Sequence, residues 1–113
     1  MPTTIPNFGD VILLRFDFLD GTGYKNRPAV VVSNSAYCQN WQRVIFIPVS
    51  SSPGPVDGAM EITDLYSASL KGKSYCQGII STADLKDIQR IIGYLAPTDI
   101  GNLKRLVRSI LVL

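Results

Sequence analysis

Lys25-Asn26-Arg27-Pro28-Ala29-Val30-Val31-Val32-Ser33-Asn34 passes from charged and amide side chains into an unbroken apolar run. Val30 to Val32 is apolar at successive positions, so both faces of a strand there would be covered, which predicts a central strand. Pro28 has no N–H to give to a ladder, so it belongs among the strand's first residues or on an edge. Ser33-Asn34-Ser35 breaks the run with a turn and a helix-capping side chain, and a short turn is expected near Ala36 to Gln39.

The chain on either side of this segment also reads as strands. Gly9-Asp10 punctuates the start of Val11-Ile12-Leu13-Leu14-Arg15-Phe16-Asp17-Phe18, a β-branched and aromatic run. A turn-rich loop over Leu19 to Asn26 would join it to the central strand. A third strand is expected from about Gln42 to Val49, a fourth over Ala59-Met60-Glu61-Ile62, a fifth over Ser74 to Ile80 and a sixth over Gln89 to Leu95. Ser50-Ser51-Ser52-Pro53-Gly54-Pro55 is the clearest loop, and Asp84-Leu85-Lys86-Asp87 reads as one helical loop. After Pro97-Thr98-Asp99 the period changes. Ile100, Leu103, Leu106, Val107, Ile110 and Leu111 recur at spacings of three and four, with Asn102, Lys104, Arg105 and Arg108 on the other face. This predicts one amphipathic helix, with Thr98 as its cap and Asp99 favoured by its N-terminal dipole. About six short strands and one terminal helix predict a mainly β fold, a small SH3-like barrel capped by that helix.

Composition bounds the function. The 113 residues suffice for one domain, expected to span 1–113, and 46% apolar residues can fill its core. Mean hydropathy is +0.18. A net charge of +2 favours no partner class by itself. There is no histidine, which excludes a histidine general base, a histidine-dependent triad and histidine metal sites. Two cysteines, Cys38 and Cys76, cannot form a four-cysteine zinc site. No secretory pattern opens the chain, and no apolar run approaches the ~20 residues that cross a membrane. A cytoplasmic protein with reduced thiols, no metal and no cofactor is expected.

Few local motifs carry chemistry. Gly72-Lys73-Ser74 resembles the end of a phosphate-binding loop, but Ser67 stands where that loop needs its first glycine. Gly21-Thr22-Gly23 is a hairpin loop, since no helix pattern follows it. Asp17 and Asp20 are close in sequence yet alone support neither glycosidase nor metal chemistry. Lys25, Asn26 and Arg27 are more informative: a loop would aim two cations and an amide just before a buried strand. Arginine's rigid fork of donors suits phosphate. Ser50 and Ser51 end the third strand with two hydroxyl donors, and Tyr24 and Trp41 have rings able to stack on bases.

The order of these pieces resembles the PemK/MazF family, toxins of type II toxin–antitoxin pairs. The matching segments are Gly9-Asp10-Val11-Ile12-Leu13, Lys25 to Asn34, Val44-Ile45-Phe46-Ile47-Pro48-Val49-Ser50-Ser51 and Ser81-Thr82-Ala83-Asp84. The resemblance spans roughly residues 8–112. It implies an SH3-like barrel that forms homodimers, cuts single-stranded RNA without metal, and pairs with a small DNA-binding antitoxin. It makes Arg27 catalytic, sets Ser50 against the reacting phosphate and matches Asp17 to an aspartate near the end of the first strand. Tyr24, Lys25, Asn26 and Ser51 are then the expected RNA contacts. Two stretches depart from the pattern. Gly21-Thr22-Gly23 stands where many members have Ser-Glu-Gln, and Ile79 and Ser81 stand where many have Gln-x-Arg.

Such chemistry does not require histidine. RNA carries its own nucleophile, the 2′-hydroxyl, and orienting it is worth up to ~7–11 kcal/mol in the best intramolecular cases. Arg27 would stabilise charge growing on the phosphate, with Ser50 donating a hydrogen bond. Asp17 is the candidate base. Two other readings use the same fold: a non-catalytic gyrase binder like the CcdB toxins, and an inactivated family member acting by protein binding. The cationic cluster would draw an acidic segment of the antitoxin across the RNA groove.

Overall fold

The computed structural model describes residues 4–54 and 58–112. Strands β1 (Asp10–Asp17), β2 (Tyr24–Val31) and β3 (Arg43–Ser50) form the centre, with helix α1 (Ser35–Trp41) between β2 and β3. Short strands β4 (Met60–Glu61), β5 (Tyr75–Cys76) and β6 (Ser81–Asp84) follow, then β7 (Ile88–Tyr94) and helix α2 (Pro97–Leu111). All recorded pairings are antiparallel. The sheet runs β4-β5-β3-β2-β1-β7, with β6 also on β3. The fold is thus mainly β with a C-terminal helix, as the sequence predicts. Among the described residues, strand hydrogen bonds do not close it into a complete barrel, because β4 and β7 end the order. Tyr94 N–H instead donates to Ser67 O at 3.0 Å. Gly93 permits this approach, since a Cβ there would stand 2.5 Å from the same carbonyl oxygen.

Side chains alternate between two apolar clusters, one on each face of the sheet. Val11, Val30, Ile47, Val49, Met60 and Cys76 pack on one face under Leu103 and Leu106 of α2. Ile12, Leu14, Ala29, Val31, Val44 and Phe46 pack on the other against Cys38 of α1 and Leu85. This explains the unbroken apolar run at 29–31: both faces of β2 are covered there. The two thiols are free and lie in different clusters.

Three expectations change along the strands and at α1. Tyr24 to Asn26 belong to β2 rather than to a loop, because they pair with Asp17, Phe16 and Arg15. They lack apolar patterning since this half of the strand projects beyond both clusters and is exposed. Pro28 sits where expected for its missing N–H, just before β2–β3 pairing begins at Ala29. The turn after Ser33 is a full helix, α1, whose N-terminus Asn34 caps by accepting Tyr37 N–H at 2.8 Å. With Cys38 its one buried residue, it has no apolar period to read. The expected fifth strand is split. Ser50 lies opposite Tyr75 and Phe46 opposite Ser81, so four steps on β3 face six on its neighbour. Gly78 lies within that bulge. Pro55 of the expected loop lies outside the described residues.

At α2 the cap is Ala96 with Pro97 following, and no side chain caps, so Thr98 does not. Asp99 is fully buried in the first turn. Its carboxylate accepts Thr63 N–H at 3.0 and 3.1 Å, Thr63 Oγ1–H at 2.8 Å and Asp64 N–H at 3.0 Å. It therefore ties the helix start to the chain after β4.

Candidate functional site

The alternation that builds the core also sorts the polar half of the β1–β2 hairpin. Lys25 lies opposite Phe16 and Arg27 opposite Leu14, so both share the face of the α1-side cluster. Asp17 lies opposite Tyr24 and Arg15 opposite Asn26, on the other face. The β2–β3 ladder stops at Ala29–Pro48. Just beyond that pair, Arg27 and Ser50 border two neighbouring clefts.

The larger cleft has a volume of about 510 Å³, and Lys25, Arg27, Pro48 and Ser50 line it together with Phe16 and Phe18. The smaller, about 300 Å³, is lined by Asn26, Ser51 and Ser74 as well as by Lys25, Arg27 and Ser50. Five residues, Lys25, Arg27, Pro28, Val49 and Ser50, border both. Arg27 and Lys25 form no ion pair with a described residue. Ser50 Oγ accepts Ser52 N–H at 3.2 Å, which orients the hydroxyl and leaves its proton to donate. The site thus offers an exposed guanidinium, an exposed ammonium and an oriented hydroxyl donor. Among the described residues no three or more His, Cys, Asp or Glu side chains gather as metal ligands.

Lys25, Arg27 and Ser50 therefore come together, and Asn26 and Ser51 adjoin them. Asp17 and Tyr24 do not join them chemically. Asp17 reaches the rim of the larger cleft, but its carboxylate accepts Arg15 Nε–H at 3.0 Å, on the face away from Arg27. The same guanidinium lies 4.0 Å from the centre of the Tyr24 ring. Tyr24 lines neither cleft. Trp41 is exposed at the end of α1 and lines neither as well. Sequence reasoning missed Gln77. Its backbone N–H donates to Pro48 O at 3.0 Å and its Nε2–H to Ser52 O at 2.8 Å, which fastens the loop after Ser50. No spacing rule marks it, because the bulge between β5 and β6 sets its position.

Three ionisable groups near this framework have shifted pKa values. Hydrogen bonds from the Thr22 hydroxyl and N–H hold Asp20 below the usual carboxylate range, at the tip of the β1–β2 hairpin. Bonds from Ser67 N–H and hydroxyl do the same for Asp64. Burial, with the negative charge of Asp99 adding to it, pushes the Cys76 thiol up to about 12. That thiol is an inert core group.

Residues 7–111 match the model of the PemK-like, MazF-like toxins of type II toxin–antitoxin systems. The chain belongs to this family. No curated protein sequence matches it. Among solved structures it is similar to the MazE–MazF complex of Deinococcus radiodurans (Form-III), with TM-score 0.78 and 18% identity over 97% of this chain and 99% of that one. A mycobacterial endoribonuclease superposes with TM-score 0.74 at 14% identity, over 100% and 97% of the two chains. Mycobacterium tuberculosis toxin MazF-mt6 does so with TM-score 0.71 at 17% identity, over 92% and 97%. At such identities these likenesses carry the family's fold. What the site does must be argued from its own side chains.

Proposed function

We propose that this family member is a metal-independent endoribonuclease toxin that cuts single-stranded RNA. The observation that carries the proposal is the meeting of Arg27 and Ser50, from separate strands, at the border of two clefts, with no ion partner for Arg27 among the described residues. A cation without a partner beside an oriented hydroxyl is suited to a phosphodiester. The substrate's 2′-hydroxyl attacks phosphorus as the P–O5′ bond breaks, giving a 2′,3′-cyclic phosphate and a 5′-hydroxyl. The 2′ proton leaves to a base and the leaving oxygen takes one from water. Arg27 stabilises the charge that grows on phosphorus-bound oxygen and Ser50 donates to it. Asp17, bonded to Arg15, is a weaker base candidate in the folded chain than its sequence position suggests.

The protein acts in the cytoplasm as a homodimer, and a cognate antitoxin neutralises it. Relatives of the same fold are described as MazE–MazF complexes and as an endoribonuclease with its cognate antitoxin. A second copy has a surface to use: an apolar groove of about 360 Å³ lined by Phe8, Val32, Val107 and Leu111, with Lys104 and Arg108 beside them. Incubating the protein with a long unstructured RNA in EDTA tests the activity. The expected products end in 2′,3′-cyclic phosphate. Intact RNA at micromolar protein would favour the protein-binding alternatives and reject the enzyme.

A further inference from the structure

Gln77 grips the chain on both sides of Ser50. Its backbone N–H donates to Pro48 O at 3.0 Å, and its side-chain Nε2–H donates to Ser52 O at 2.8 Å. Between these two points β3 ends, with Ser50 opposite Tyr75 in the last pair it shares with β5. Ser51 to Gly54 are exposed, and none of them joins either apolar cluster. Hydrogen bonds rather than packing therefore hold this loop. Ser52 N–H donates back to Ser50 Oγ at 3.2 Å, and Gly54 N–H donates to Ser52 Oγ at 3.3 Å. The loop closes tightly over the Gln77 amide, since a Cβ on Gly54 would stand 3.2 Å from Gln77 Oε1. One line of hydrogen bonds thus runs from the Gln77 amide, through Ser52, to the Ser50 hydroxyl.

We propose that Gln77 is a positioning residue for the reaction, holding Ser52 so that the Ser50 hydroxyl faces the reacting phosphate. This rests on the endoribonuclease reading of the site. The bond from Ser52 N–H occupies one lone pair of Ser50 Oγ and restricts its rotation, which leaves the proton for the cleft. Without the Gln77 amide, Ser52 O turns to water and the loop is free to swing. The hydroxyl then spends less time where a growing negative charge can use it. Gln77 acts through Ser50 and not on the RNA, so its loss lowers the rate and leaves affinity alone.

A double-mutant cycle in single-turnover cleavage at saturating enzyme tests this, with Kd measured on an uncleavable 2′-O-methyl strand. Gln77→Ala should cut roughly 3- to 10-fold more slowly, the factor by which one hydrogen bond biases a loop. Gln77→Met, which keeps the length of the side chain without a donor, should lose as much. Kd should be unchanged in both. Ser50→Ala alone should be slower by roughly 10²–10³, and adding Gln77→Ala to it should cost nothing more. A further 3- to 10-fold loss in the double variant would show that Gln77 works independently of Ser50 and overturn the proposal. So would a weaker Kd that accounts for the slower rate, a wild-type rate in Gln77→Met, or melting of both single variants below the assay temperature. In each of these cases the RNA reading still stands, because the wild-type protein cuts. A wild-type protein that leaves RNA intact would overturn that reading, and the proposal with it.

Discussion

Replacing Asp99 by alanine should be among the most destabilising single changes in this chain. The side chain is fully buried, and its two oxygens receive two backbone N–H groups and one hydroxyl. Alanine removes the carboxylate and leaves Thr63 N–H, Thr63 Oγ1–H and Asp64 N–H facing a void. Each buried group left unpaired costs about 1–3 kcal/mol, and water entering the space recovers part of that. The net loss should be about 3–5 kcal/mol, a large share of the ~5–15 kcal/mol that holds a small domain together. Asp99→Asn keeps the shape but turns an NH2 group toward donors, so it should lose most of the same stability. Urea unfolding followed by circular dichroism measures both variants. A loss below about 1 kcal/mol for Asp99→Ala, with an unchanged slope, would refute the latch between α2 and the chain after β4.

Three further outcomes are expected. Cys76 keeps its proton in the folded chain to about 12, against an ordinary value of 9.0. Its contribution is thus fully present below pH 9, and it declines between 9 and 12 by up to about 1.4 kcal/mol per pH unit as the unfolded thiol ionises first. Cys76→Val should show a flatter alkaline stability curve, measured by urea unfolding from pH 8 to 11. Lys25→Ala should weaken RNA binding and reduce its salt slope by about one, with the cleavage rate at saturation nearly unchanged, which anisotropy titrations across salt concentrations and single-turnover assays check. Sedimentation at micromolar concentration should give a dimer, and Leu111→Glu, placed in the apolar groove beside α2, should shift it toward monomer.

The regions legible in the sequence were those where one physical pattern acts alone. The period of Ile100 to Leu111 reports a helix with one covered face, and the run at 29–31 reports a strand covered on both. The pattern fails where tertiary contacts set the structure. Tyr24 to Asn26 look like a loop because nothing covers them, yet pairing with β1 holds them in a strand. Asp99 reads as a helix-start residue, while its bonds come from Thr63 and Asp64, remote in sequence. The site divides in the same way. Arg27 and Ser50 stand out through the order of motifs, whereas the parity that turns Asp17 toward Arg15 depends on the register of one hairpin. Gln77, Phe18 and Ile79 meet only because chain segments remote in sequence border one cleft.

The claim that Arg27 stabilises the reacting phosphate is tested most directly by single-turnover cleavage at saturating enzyme. Arg27→Ala should lower the rate by roughly 10²–10³, the scale of one lost donor in a preorganised site. Arg27→Lys should recover only part of the loss, since it keeps the charge without the fork. Fold and dimer should survive, because Arg27 is exposed and bonded to no described side chain. RNA affinity should fall far less than the rate, as expected for an interaction that strengthens in the transition state. Cleavage by Arg27→Ala at the wild-type rate would contradict the account.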